Sequence, residues 1–147
     1  MKNCWALGEL TKMEGKTTFQ SKESRISILL VDDDPNYLQT LREFVEKVGN
    51  FDIDICNSSE SALHLLFRKR FDIIITDYDM PGINGVEFIQ QVRFKNEPVF
   101  IILLSGGSEK GIEMSSGADR FLQKGNAEDL EDLSKILGNE LVESRAD

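Results

Sequence analysis

The chain is short of the residues from which most catalytic and metal centres are built. Among 147 residues there is one histidine, His64, and there are two cysteines, Cys4 and Cys56. Two cysteines this far apart give neither a metal-ligand spacing nor a disulfide framework. A reducing cytoplasm is the default setting for such a chain. His64 lies between Leu63 and Leu65 on a predicted helix, facing solvent, so a histidine phosphotransfer centre has no support. Positive charge is scarce as well: 17 Lys and Arg stand against 26 Asp and Glu, for a net charge of −9 and a pI of about 4.7. That balance argues against nucleic-acid or membrane binding by the domain body and favours a basic partner surface or a site that collects cations. No apolar run is long enough to cross a bilayer. No hydrophobic region follows Lys2, so no signal peptide is expected.

What is present is enough for one domain with one core, since hydrophobic residues make up 40% of the chain. Residues 1–24 are rich in Lys, Glu, Thr, Ser and Gly and read as a tail or linker, with a short helix conceivable over Cys4, Trp5, Ala6, Leu7 and Leu10. The domain is placed at 25–147. Ile26 to Val31, Phe71 to Thr76 and Val99 to Leu104 are short apolar runs bounded by turn residues, the pattern of strands buried on both faces. Phe51 to Cys56 alternates apolar and acidic residues and suits an edge strand; a fifth strand is expected near Phe121 and Leu122. Helices fill the gaps. Asp34 caps one that begins at Pro35, carries Leu38, Leu41, Val45 and Val48 on one stripe, and stops at Gly49. Asn57 with Glu60 opens a second, with Ala62, Leu63 and Leu66 inward, and Val86, Ile89 and Val92 mark a third. Asn126 opens the last, with Glu128 and Asp129 at its positive end and Leu130, Leu133, Leu137 and Leu141 on its buried face. Strand–helix alternation repeated five times predicts an α/β fold, a doubly wound five-stranded parallel sheet in a single domain.

In an open parallel sheet, ligands bind beyond the carboxyl ends of the strands. The first strand runs into Asp32, Asp33 and Asp34; the third into Asp77, Tyr78 and Asp79; the fourth into Ser105, Gly106 and Gly107; the fifth towards Lys124. These groups should converge in one crevice. Asp32, Asp33 and Asp77 held together would repel unless a cation neutralised them. Mg²⁺ takes one or two carboxylates and keeps sites for water and phosphate oxygen. Lys124 can pair with a phosphate oxygen as a point charge, and Ser105 can donate a hydrogen bond to another. A carboxylate can attack phosphorus. Asp77, alone at the end of the central strand, is the better-centred nucleophile; the adjacent Asp32 and Asp33 suit metal.

Ile28-Leu-Leu-Val-Asp-Asp-Asp-Pro35, Asp72-Ile-Ile-Ile-Thr-Asp-Tyr-Asp-Met-Pro-Gly-Ile-Asn-Gly85, Ser105 and Lys124 together resemble the receiver domain of two-component response regulators, over about residues 25–142. The resemblance implies the flavodoxin-like strand order 2-1-3-4-5. It implies that Asp77 is the phospho-acceptor, that Asp33, Asp77 and the backbone carbonyl of Asp79 ligate Mg²⁺, and that Asp32 acts through a metal-bound water. Ser105 and Lys124 would contact the phosphoryl oxygens, and Phe121 would be the switch aromatic. The phosphodonor would be a histidine kinase and the receiver of the signal an unnamed downstream protein, with a dimer as a further possibility. Apart from its own phosphorylation and dephosphorylation the domain would catalyse nothing. Three departures stand out. Gly125 replaces the proline that usually follows the lysine. The stretch from Gly106 to Gly117 is shorter than usual by about a helical turn, so the helix there is expected to be short or irregular. Phe121 lacks a tyrosine's hydroxyl.

Other readings are weaker. Glu14-Gly-Lys-Thr-Thr18 lacks the first glycine of a P-loop and follows no strand. Asp77 and Asp79 also fit the D-x-D pair of certain phosphatases, but here the further carboxylates lie on the first strand. A docking module that keeps the fold without being phosphorylated is the alternative from another class. With no output domain after residue 142, the chain reads as a single-domain regulator or as part of a larger sensor. Asp79 and Gly107 flank the path water would take to a phosphoryl group, and are expected to influence its lifetime.

Overall fold

The computed structural model describes residues 25–107 and 116–146. The described residues form five strands and four helices, in the order β1 (Ser27–Val31), α1 (Pro35–Val48), β2 (Asp52–Cys56), α2 (Ser59–Leu66), β3 (Ile73–Asp77), α3 (Gly85–Phe94), β4 (Phe100–Ser105), β5 (Arg120–Gln123) and α4 (Ala127–Ala146). All strand pairs are parallel, and the sheet order is β2-β1-β3-β4-β5. The order expected from the family resemblance is therefore the order found.

Successive strand residues point to opposite faces, and both faces are covered. Ile28, Leu30, Ile73, Ile75, Ile102 and Leu104 pack with Leu38, Leu41 and Val45 of α1 and Leu133 and Leu137 of α4. Leu29, Val31, Ile74, Ile101 and Leu103 pack on the other side with Ala62 of α2 and Phe88, Ile89 and Val92 of α3. This is why the three central strands read as unbroken apolar runs. At the edge, β2 stays half-buried, and the Lys69 ammonium bridges Asp52 (3.4 Å) and Asp54 (2.9 Å), putting charge where a bare strand edge would invite pairing.

Several local expectations are corrected. β3 extends one residue beyond Thr76 and takes in Asp77. The cap of α2 is Ser58, whose Oγ accepts from the Ser61 amide at 3.1 Å, rather than Asn57. Gly49 does end α1 as expected, though in extended backbone and not in the left-handed conformation a glycine stop usually adopts. Asp34 and Asn126 cap as expected: Asp34 accepts from the Asn36 amide, and Asn126 from the amides of Glu128 and Asp129. The Asp129 carboxylate also accepts from the Gln123 amide at 2.6 Å, tying α4 to the end of β5. The reading of residues 1–24 as a tail and most of the segment expected to hold a short helix, 108–115, lie outside the described residues.

Two devices fix the loops around the future site. The Arg93 guanidinium donates to the carbonyls of Val99 (2.7 Å) and Gly117 (3.0 Å) and to Asp119 (2.8 Å), and so pins the start of β5 to the end of α3. Gly85, the first residue of α3, donates its amide to the Tyr78 carbonyl at 2.9 Å. A Cβ at Gly85 would overlap the Asp77 carbonyl oxygen and lie 2.8 Å from the Tyr78 Cα. Both neighbours are backbone and cannot swing aside. Gly85→Ala should therefore destabilise the fold by about 1–3 kcal/mol, the usual range for overpacking. A urea midpoint equal to that of the parent would show that the approach of α3 to β3 is not close enough to need glycine.

Candidate functional site

Four loops meet beyond the carboxyl ends of β1, β3, β4 and β5. Val31 pairs with Thr76 in register, so Asp32 leaves β1 beside Asp77 at the end of β3. One carboxylate oxygen from each of Asp32, Asp33 and Asp77 lies within 4.8 Å of the others. Asp32 and Asp77 are buried, at 2% and 3% exposure, and Asp33 is exposed. The second oxygen use at Asp32 is internal: Oδ1 accepts from the Asp34 amide at 2.9 Å, which orients the carboxylate from the first turn of the loop.

Lys124 closes the group from the far side of the sheet. Its backbone amide donates to the Ser105 carbonyl at 2.7 Å, continuing the β4–β5 pairing past its last registered pair, Ser105 with Gln123. Its ammonium then lies 2.6 Å from Asp32 Oδ2 and 3.0 Å from Asp77 Oδ1. It also lies 4.3 Å from the centre of the Tyr37 ring. Ser105 is fully buried, and its hydroxyl and the backbone of Gly107 exchange hydrogen bonds at 3.2–3.3 Å. Gly125 follows Lys124 at φ +76°, and no cis peptide bond occurs among the described residues.

The remaining expected residues fall around this cluster. The Asp79 side chain is exposed, and its carboxylate is not part of the group. Phe121, opposite Leu103 in the β4–β5 register, is half-buried and packs against the core that faces α2 and α3. His64 is exposed, as expected. Tyr37 lies outside the motifs read in the sequence, and Gly85 enters there only as the last residue of the second motif. Tyr37 had a faint signal, since it continues the stripe Leu41, Phe44, Val48 one turn towards the N-terminus of α1. A recess of about 900 Å³ between α2 and α3 is lined by Leu63, Phe67, Ile83 and Phe94 with Glu60 and Glu87, and shares no residue with the acidic cluster.

The charges at the site do not balance. Three carboxylates against one ammonium leave two negative charges unbalanced when all are ionised. Burial, with the Asp32 charge beside it, pushes the Asp77 carboxyl up from 3.8 to about 6 despite the pull of Lys124. Burial works against the charged form of Lys124 too, but the hydrogen bonds to Asp32 and Asp77 prevail and hold its pKa above the usual value. Three oxygen donors with a deficit of two positive charges fit a hard divalent cation, and the set could hold Mg²⁺.

Residues 28–137 match the response regulator receiver domain. The chain belongs to this family. It is a receiver domain of two-component regulatory systems. It is 31% identical to the response regulator Rre1 of Synechocystis over 82% of this chain and 54% of Rre1. It is 34% identical to the chemotaxis protein CheV1 of Helicobacter pylori over 80% of this chain and 40% of CheV1. The receiver thus spans about half the length, or less, of the curated relatives it matches. Among solved structures, the response regulator TrrA of Thermotoga maritima, in complex with Mg²⁺ and BeF, shares 36% identity at a TM-score of 0.68, over 76% of this chain and 98% of TrrA. No helix among the described residues is long and apolar enough to cross a membrane.

The raised Asp77 pKa has a consequence for stability. A carboxyl that binds its proton more tightly when folded contributes stability at low pH and loses it as pH rises from the unfolded towards the folded pKa. For Asp77 that window runs from 3.8 to about 6. At about 1.4 kcal/mol per pH unit, ionised Asp77 costs the metal-free fold on the order of 2–3 kcal/mol at neutral pH. In chelator at neutral pH, Asp77→Asn should be more stable than the parent by that order, with the gap closing below the window. Urea unfolding at the two pH values measures it. Equal stabilities at neutral pH would mean that the carboxylate is not strained.

Proposed function

We propose that this receiver takes a phosphoryl group from the phosphohistidine of a histidine kinase onto Asp77, with Mg²⁺ bound at the acidic cluster, and thereby switches an interaction surface. The observation that carries this reading is the placement of Asp77. It is a nearly buried carboxylate at the end of the central strand, flanked by the Asp32–Asp33 pair on one side and by Lys124 on the other. The similarity to TrrA, solved with Mg²⁺ and BeF, supports it.

In the proposed step, an ionised oxygen of Asp77 attacks phosphorus while the P–N bond to the kinase histidine breaks. The electron pair leaves with the imidazole nitrogen, and Asp77 becomes an acyl phosphate. When bound, Mg²⁺ supplies positive charge to the phosphoryl oxygens in the transition state. Asp33, Asp77 and the Asp79 carbonyl would hold it directly, and Asp32 through water. Lys124 would exchange its contact with Asp77 Oδ1 for a phosphoryl oxygen, keeping Asp32 as its anchor. Ser105 would turn from Gly107 to donate to a second phosphoryl oxygen. Because Ser105 and Phe121 belong to paired strands, that turn would reach Phe121 and repack it. The outcome is a population shift between two packings of one surface.

Intact mass after incubation with Mg²⁺ and acetyl phosphate tests the reading. The parent should gain one phosphoryl group and Asp77→Asn none. Addition to both would place the acceptor elsewhere. Addition to neither, with Mg²⁺ binding also absent, would leave a docking module with a receiver fold. Once the parent is phosphorylated, Asp79→Asn combined with Gly107→Ala should change the lifetime of the phosphoryl group. An unaltered lifetime would remove both residues from the path of water.

A further inference from the structure

Lys124 has three N–H donors and two carboxylate partners, Asp32 and Asp77. Its third side meets no oxygen in the described contacts but the face of Tyr37, with the ammonium 4.3 Å from the ring centre. That is within the reach of a cation–π attraction, which strengthens when the pair is shielded from water. The Lys124 side chain is only 20% exposed, and Tyr37 is half-buried in the first turns of α1, directly after the Asp34 cap. The residue that follows the lysine offers its side chain no packing partner. Gly125 has no Cβ, adopts φ +76°, and has nothing within 4 Å of where a Cβ would stand. The backbone there is held by hydrogen bonds, from the Lys124 amide to the Ser105 carbonyl at 2.7 Å and from the Asn126 amide to the Gln123 carbonyl at 3.4 Å, and these fix the Lys124 Cα but not the four-carbon side chain beyond it.

We infer that Tyr37 is a positioning residue for Lys124: its ring face confines the ammonium between Asp32 and Asp77 and keeps it from swinging into solvent when Asp77 is phosphorylated. The inference rests on the proposed phosphoryl transfer to Asp77, and adds to it a group on α1 that touches neither metal nor phosphate. The physical need is specific to the transfer. Before the reaction two carboxylates pull Lys124 from two sides. As Asp77 forms its bond to phosphorus, the pull from that side passes to a phosphoryl oxygen, which lies further out. A flexible four-carbon side chain would follow the charge or turn to water. A ring beneath the ammonium limits it to the plane that faces both partners. The relevant property is the π face, not the hydroxyl.

Tyr37→Phe and Tyr37→Leu separate these roles. The rate of phosphorylation by acetyl phosphate, followed by intact mass in saturating Mg²⁺, should be kept in Tyr37→Phe and fall about three- to thirtyfold in Tyr37→Leu, the range that a cation–π contact of this kind spans. Mg²⁺ affinity should stay within about twofold in both, since Tyr37 faces the lysine and not the carboxylate oxygens that would bind metal. A Tyr37→Leu rate equal to that of the parent would overturn the inference. So would an equal loss in both variants, which would point to the hydroxyl, or a loss of rate that tracks a loss of Mg²⁺ binding, which would point to a structural role. NMR of the metal-free protein gives a readout that does not depend on phosphorylation. The Lys124 ε-methylene protons should be shifted upfield by the ring in the parent and in Tyr37→Phe, and released in Tyr37→Leu. A parent that binds no phosphoryl group but shows this ring shift would sink the proposed transfer and keep the contact. Absence of the shift in the parent would sink the positioning role itself.

Discussion

Lys124 reaches in from the end of the edge strand β5 and sets its ammonium 2.6 Å from Asp32 and 3.0 Å from Asp77. Two carboxylates at the ends of adjacent strands would repel across a poorly solvated gap, and burial already disfavours the ionised form of Asp77. One ammonium shared between them makes the arrangement tolerable without making it comfortable. The site therefore keeps a deficit of positive charge, and that deficit is what a divalent cation can fill. Much of the surrounding structure serves to bring this one cation to those two anions: the parallel register, the Arg93 clamp on β5, the Asp129 carboxylate under Gln123, and the Tyr37 ring.

The fold spends stability here and recovers it in the two cores. Ile28, Leu29, Leu30, Ile73, Ile74, Ile75, Ile101, Ile102 and Leu103 are fully buried, and the three strands that carry them end in polar residues at one edge of the sheet. A well-packed sheet is stiff, so the carboxylates cannot relax apart. Strain of this kind persists only where the rest of the structure is strong enough to hold it. Gly85 shows the same economy from the loop side. It brings the start of α3 against the backbone of Asp77 and Tyr78, where any side chain would push the end of β3 away.

Much of this was legible in the residues. Apolar runs bounded by Asp, Ser and Gly revealed the central strands, because a strand buried on both faces has no room for alternation. The polar residues that follow those runs revealed the site, because a parallel sheet puts all its carboxyl ends on one edge. Capping chemistry located the starts of α1 and α4 to the residue. It missed at α2, where Asn57 and Ser58 are both good caps and only the path of the chain after β2 chooses between them.

The sequence by itself determined the fold class, the two-faced core and which acidic residues gather, since these follow from local periodicity and from the rule that parallel strands end together. Only the tertiary structure decided which atoms meet. That Lys124 bridges Asp32 and Asp77 rather than Asp33, and that Gly85 must lack a side chain, depend on side-chain reach and backbone approach across gaps of a few ångströms. That Tyr37 lies under the ammonium depends on the rotation of α1 against β5. Residues 37 and 124 are joined by no motif and no period, and their contact exists because α1, packed on one face of the sheet, brings its first turn to the end of β5.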